Sequence, residues 1–172
     1  SVQQRMADAM RRAGRVDSAL LVAVTKNHPV SAVEEVARLG VTHVGENRVQ
    51  EAKEKQLTYN GPQLVWHLIG HLQVNKVRQA VPMFDLIHSV DSRKLLEEIE
   101  KVAVKHDKVQ DVLLQVNVAR EESKSGLSVE EFPEVRDFAS TLPHVRVRGL
   151  MCMAPFYDNP EDARPIFKVA NA

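Results

Sequence analysis

Short apolar runs alternate with amphipathic helical stretches along this chain, and that alternation constrains the fold more than any other feature. The first run, Leu20-Leu21-Val22-Ala23-Val24, ends in Thr25-Lys26 and is stopped by Asn27-His28-Pro29. Five more follow: Val41–Gly45, Leu64–Ile69, Phe84–Val90, Asp111–Asn117 and Val145–Met151. Runs this short, rich in Val and Leu and bounded by polar residues, Gly or Pro, predict buried parallel strands. A helical pattern follows each run. Strand and helix in alternation give a parallel sheet with helices outside it, joined by right-handed crossovers.

The helical stretches carry their own start signals. Ser31-Ala32-Val33-Glu34 and Ser128-Val129-Glu130-Glu131 have capping-box spacing. Asp91 or Ser92 caps a helix whose apolar stripe is Leu95, Leu96, Ile99, Val102 and Ala103. Asn159-Pro160-Glu161-Asp162 caps the last one, with Pro at the first helical position. Before the first run, Val2, Met6, Ala9, Met10 and Ala13 recur at helical spacing. They predict a docked amphipathic helix rather than a transit peptide.

Two architectures accommodate six strand–helix units: an open doubly wound sheet and a barrel. No G-x-G-x-x-G follows any run, so a dinucleotide-binding sheet has no support. A closed (β/α)8 TIM-like barrel needs about two more units than the sequence shows. The pattern stops within a helix at Ala172. The expectation is one α/β domain over residues 1–172, incomplete at its C-terminal side.

Composition removes several function classes. Lys plus Arg and Asp plus Glu are both 23, which gives no general affinity for nucleic acid or acidic membranes. No apolar run approaches the roughly 18–20 residues of a membrane helix. Cys152 is the only cysteine, so no intrachain disulfide forms, as expected of a cytoplasmic protein. It reads as a small buried hydrophobe. The seven histidines show no H-x-x-x-H spacing and predict no metal site.

In parallel α/β folds, ligands gather where strands leave the sheet at their C-terminal ends. Here those positions hold Lys26, Glu46, Asn47, Gly70, His71, Ser89, Asp91, Asn117 and Met151 to Met153. A lysine among amides, histidines and hydroxyls suits covalent amine chemistry. Such chemistry needs a neutral amine, and only about one lysine in 10³ is neutral at pH 7. Burial at a strand end raises that fraction, which favours Lys26 over surface lysines such as Lys53, Lys55 and Lys101. Plainer readings stand beside these. His67 alternates with apolar neighbours, as a hydrogen-bonded core histidine does. Asn47 is placed to cap a helix. Lys124-Ser125-Gly126 reads as a turn with Gly126 at positive φ, and Met151 as a core residue.

Several segments in order resemble one known family. They are Val22-Ala23-Val24-Thr25-Lys26, Gly45-Glu46-Asn47-Arg48-Val49-Gln50-Glu51 and Trp66-His67-Leu68-Ile69-Gly70-His71-Leu72-Gln73-Val74-Asn75-Lys76. His88-Ser89-Val90-Asp91-Ser92, Gln115-Val116-Asn117, Glu122-Ser123-Lys124-Ser125-Gly126 and Arg148-Gly149-Leu150-Met151 complete the set. Together they resemble the pyridoxal phosphate homeostasis proteins. The resemblance implies a fold-type III barrel like the N-terminal domain of alanine racemase. It implies pyridoxal 5′-phosphate held at Lys26 as an internal aldimine, with Asn47, His67 and Met151 around the pocket.

The family resemblance further implies a cytoplasmic, monomeric, non-catalytic carrier. Its partners are the cofactor and the apoenzymes that receive it, not nucleic acid or membrane. The rival reading is a racemase-like enzyme, which would want a tyrosine at a strand end; Tyr59 and Tyr157 fall in loops. Two departures stand out. His28 occupies a position where many members have a second lysine. The family's later S-x-G-M-S and R-I-G segments, which supply phosphate and ring contacts, are not in this sequence. Lys124 near the mouth offers a second amine or an anion contact.

Overall fold

A computed structural model describes all residues, Ser1–Ala172. Six strands form one sheet: β1 (Ala23–Val24), β2 (His43–Glu46), β3 (Val65–Leu68), β4 (Leu86–Val90), β5 (Gln110–Gln115) and β6 (Val145–Met151). They lie in sequence order and every neighbouring pair is parallel. This is the topology that strand–helix alternation dictates, with each crossover advancing one strand. β1 and β6 do not pair with each other, so the sheet has two edges.

The helices are α1 (Val2–Arg12), α2 (Val30–Arg38), α3 (Val49–Thr58), α4 (Val77–Ala80), α5 (Arg93–Lys105), α6 (Phe132–Ser140) and α7 (Arg164–Asn171). The core fills the layer between the sheet and α2 to α6. Val44, Trp66, Leu68, Ile87, Val112 and Leu114 come from the strands. Val33, Ala52, Ala80, Leu96, Ile99 and Ala139 face them from the helices. Side chains alternate across a strand, so the other sheet face carries a different set: His43, His67, His88, Gln115 and Met151.

Local signals held where they were strongest. Ser92 caps α5 by accepting the Leu95 N–H at 3.1 Å, and the predicted apolar stripe is buried in full. Ser128 and Glu131 make the reciprocal capping box: Ser128 Oγ accepts the Glu131 N–H at 3.0 Å, and Glu131 accepts the Ser128 N–H at 2.9 Å. Asn159 Oδ1 accepts the Glu161 N–H at the start of a 3-10 turn that leads into α7.

Three expectations need correction. The first strand is not a buried one of central type. Only Ala23–Val24 pairs, and it lies at a sheet edge with Leu20 and Val24 exposed. A strand with one neighbour leaves one side open, whatever its own hydropathy. The capping box at Ser31–Glu34 is not made: α2 starts at Val30 after Pro29, so Ser31 already lies inside the helix. α1 forms with Ser1 as its cap, but buries no residue. Ser1 caps it, Asp8 pairs with Arg11 on its surface, and its Met10 sulfur accepts the Ala19 N–H.

Candidate functional site

The parallel order brings all six strand exits to one edge of the sheet. There a cavity of about 260 Å³ opens, lined by Asn47, Gly70, His71, Gln115, Asn117, Ser123, Lys124, Ser125 and Met151. That is close to the lower end of small-ligand pockets, about 300 Å³. Its lining includes no carboxylate, and its polar groups are amides, hydroxyls, an imidazole and the Lys124 ammonium. Such a set receives an anion without a like-charge penalty.

The four sequence-predicted residues divide into three places. Asn47 and Met151 line the cavity. Lys26 sits on the same edge, in the turn just after β1, but is exposed and outside the lining. The desolvation argument that favoured it therefore does not single it out; its strand-end position does. His67 is 3% exposed and also outside the lining, among the inward side chains of the strands.

A single loop closes over the cavity's far side, and two amides hold it there. Asn117 Nδ2 donates to the Glu121 carbonyl at 2.7 Å, while its Oδ1 accepts the Glu121 N–H. Gln115 Nε2 donates to the Ser125 carbonyl at 3.4 Å. Gly126 lets the loop return: its φ is +125, and a Cβ there would lie 2.9 Å from the Asn117 nitrogen. These contacts hang Ser123, Lys124 and Ser125 over the mouth.

Gly70 is what allows Asn47 into the wall. A Cβ added at Gly70 would sit 2.1 Å from the Asn47 carbonyl oxygen and 2.6 Å from its Oδ1. The carbonyl is backbone and cannot swing aside. Gly70→Ala is therefore expected to cost about 1–3 kcal/mol, the usual range for overpacking. Urea unfolding monitored by Trp66 fluorescence measures it, and a variant as stable as wild type would contradict the contact.

Three imidazoles cross the inner face of β2, β3 and β4. His43 Nδ1 lies 2.9 Å from His67 Nε2, and His67 Nδ1 lies 2.8 Å from His88 Nε2. Neutral rings satisfy such a file with one proton per contact. Burial first, then the His88 and His43 rings, lower the His67 pKa to about 4, with Asp85 opposing. Burial lowers His88 as well.

A base with a depressed folded pKa takes up its proton earlier in the unfolded chain, so stability rises with pH across the gap. The contribution of His67 is complete above about pH 6.5 and lost by about pH 4. The gap corresponds to about 3 kcal/mol. Unfolding free energies measured across this window should fall on acidification, with the slope reduced in His67→Gln. An equal slope in that variant would assign the loss elsewhere.

A second polar cluster lies behind Lys26, and the sequence reading missed it. Lys55, expected at the surface, is 6% exposed. Its Nζ donates to the Thr25 carbonyl at 2.8 Å, to Glu46 Oε1 at 2.7 Å and to Glu51 Oε1 at 3.0 Å. Glu46 is fully buried and its Oε1 also accepts the Thr25 hydroxyl at 2.6 Å. Glu51 Oε1 accepts the Asn27 N–H at 2.6 Å, and burial opposes while Lys55 and Asn27 prevail in holding its carboxyl below the usual range. One available signal was the spacing of Val49, Ala52 and Lys55, which puts all three on the buried face of α3.

Parallel β/α units in sequential order, with a lysine at the first strand exit and a donor-lined mouth, define the class of the alanine racemase N-terminal domain. The model of that family matches residues 1–169. Two alignments carry the assignment further. The chain is 42% identical over 168 residues to a pyridoxal phosphate homeostasis protein of Aquifex aeolicus, covering 97% of this chain and 74% of that one. It is 34% identical over 170 residues to the Haemophilus influenzae protein of the same name, covering 97% and 72%.

Among solved structures, PipY of Synechococcus elongatus without PLP superposes with a TM-score of 0.84 at 38% identity, covering 99% of this chain and 79% of that one. PipY with PLP bound gives 0.82 at 36% identity with the same coverage. An alanine racemase of Clostridium difficile shares the fold at 13% identity and a TM-score of 0.75, over 99% of this chain and 48% of that one. The chain belongs to the pyridoxal phosphate homeostasis protein family. No helix is long and apolar enough to cross a membrane.

Proposed function

We propose that this chain carries pyridoxal 5′-phosphate reversibly on Lys26, as a cytoplasmic protein of cofactor homeostasis. The observation that supports this best is the donor-lined, carboxylate-free cavity on the same sheet edge as Lys26. An aromatic aldehyde bearing a phosphate is an anion, and this lining suits one. The named relatives and the PLP-bound PipY structure support the same ligand.

When bound, the group supplies an electrophilic aldehyde on an electron-withdrawing ring. The chain's own residues supply the rest. Lys26 would hold the group through its Nζ, whose free amine is the nucleophile a reversible condensation with an aldehyde needs. Asn47 and His71 offer polar contacts on one wall; Ser123, Lys124 and Ser125 offer them on the loop opposite. Met151 provides an apolar side. A carrier needs a reversible bond and no pair of acid and base groups poised over a substrate carbon. Tyr59 serves elsewhere, donating to the Pro62 carbonyl. Recipients are apoenzymes that use the cofactor, and the carrier acts as a monomer.

The test is chemical trapping in the intact protein. After incubation with pyridoxal 5′-phosphate and borohydride reduction, the added mass is expected on the peptide containing Lys26. Mass found only on Lys124, or none at all, would overturn the reading. Interconversion of amino-acid stereoisomers by the loaded protein would replace the carrier by an enzyme.

A further inference from the structure

We propose that Lys55, Glu46 and Glu51 form a positioning clamp for Lys26; this rests on the function proposed above. The clamp holds the backbone on both sides of Lys26 while touching none of its side chain. On the N-terminal side, Lys55 Nζ holds the Thr25 carbonyl and Glu46 holds the Thr25 hydroxyl. On the C-terminal side, Glu51 holds the Asn27 N–H. Lys55 Nζ also bonds both carboxylates, so the two halves are one unit.

The local backbone needs such a device. β1 is two residues long and lies at a sheet edge, so few ladder bonds fix its exit. Thr25 adds one, its N–H donating to the Gly45 carbonyl at 3.0 Å. Asn27 then turns with φ +61, a left-handed conformation uncommon outside glycine. Within two residues the chain leaves an extended path and reverses, with Lys26 at the corner. One turn bond closes the corner, the His28 N–H donating to the Thr25 carbonyl at 3.2 Å, and alone it would leave Lys26 many directions to sample. A corner bonded on both sides fixes the Cα from which Nζ reaches the mouth.

The physical gain is orientation. Holding the amine near its target avoids an entropic cost at each attachment, and small misplacements reduce rate steeply. The ion-pair network is deeply buried where it meets the strand, at 0% exposure for Glu46 and 6% for Lys55. Its geometry is therefore set by packing rather than by solvent.

Lys55→Met would leave Glu46 buried without its cation and could simply unfold the protein. Glu51→Ala is the cleaner probe, because Glu51 lies at the edge of the cluster and its loss frees only the Asn27 N–H and one Lys55 contact. In the intact protein, this variant is expected to keep its fold by circular dichroism and to exchange the Asn27 amide hydrogen about tenfold faster. Uptake of pyridoxal 5′-phosphate, followed by the visible band, should slow by about tenfold. A merely structural role would lower the melting temperature and leave uptake by the folded protein unchanged. Unchanged Asn27 exchange, or faster exchange with wild-type uptake, would overturn the clamp. Failure of the wild-type protein itself to take up the aldehyde would overturn the preceding function, and the exchange measurement would still decide the clamp.

Discussion

Lys26→Ala is expected to abolish covalent retention of pyridoxal 5′-phosphate in the intact protein while leaving the fold unchanged. The two halves of that result have different causes. Lys26 is exposed and its side chain makes no hydrogen bond or ion pair, so truncation removes no polar contact. Its effect on folding should lie within about 0.5 kcal/mol, as for ordinary surface sites. The effect on retention is all-or-none, because the other amine at the exit of β1, Lys55 Nζ, is buried and bonded to Glu46, Glu51 and the Thr25 carbonyl. The cavity without Lys26 would hold the aldehyde by polar contacts alone and release it on gel filtration. Lys124→Ala supplies the comparison: it weakens anion contacts at the mouth and keeps borohydride-trapped mass on Lys26. Trapped mass persisting in Lys26→Ala at the wild-type level would show that another amine carries the cofactor.

The parts of this structure legible in the sequence are those set by residues close along the chain. Alternating runs gave six parallel strands, and Val145–Met151 was placed to the residue. The stripe from Leu95 to Ala103 and the Ser128–Glu131 box needed only helical spacing. What the sequence withheld depends on neighbours far along the chain. Leu20–Val24 is as apolar as a central strand, but its place at an edge is decided by the order of the sheet. The file of His43, His67 and His88 requires cross-strand register that no single run contains. Lys55 was misplaced for a related reason. Hydropathy assigns a lysine to solvent, and its burial becomes acceptable only once Thr25, Glu46 and Glu51 converge on one ammonium. The family motifs marked Lys26, Asn47, His67 and Met151 in the chain, and the fold separates them: Asn47 and Met151 in the cavity wall, Lys26 exposed after β1 and His67 buried outside the lining.

Lys55→Met should be the most destabilising single substitution considered, at about 3–5 kcal/mol. The argument turns on what remains. Glu46 is wholly buried, its Oε2 has no partner, and Lys55 is the one cation bonded to its Oε1. Removing that cation leaves a fully buried carboxylate with only the Thr25 hydroxyl as partner. The penalty is that of the stranded charge, not the net worth of the pair. Removing both charges should therefore recover most of it: Lys55→Met combined with Glu46→Leu fills the same space and leaves no ion to desolvate. Urea unfolding of wild type, the single variant and the double variant reads this directly. A loss below about 1 kcal/mol in the single variant would mean that the pair behaves as a surface ion pair. A double variant as unstable as the single one would place the loss in the Thr25 contacts instead. Where the double variant regains stability, the network's cost in folding is separated from its benefit at Lys26. The stabler protein should then hold the Thr25–Asn27 corner more loosely than the wild type does.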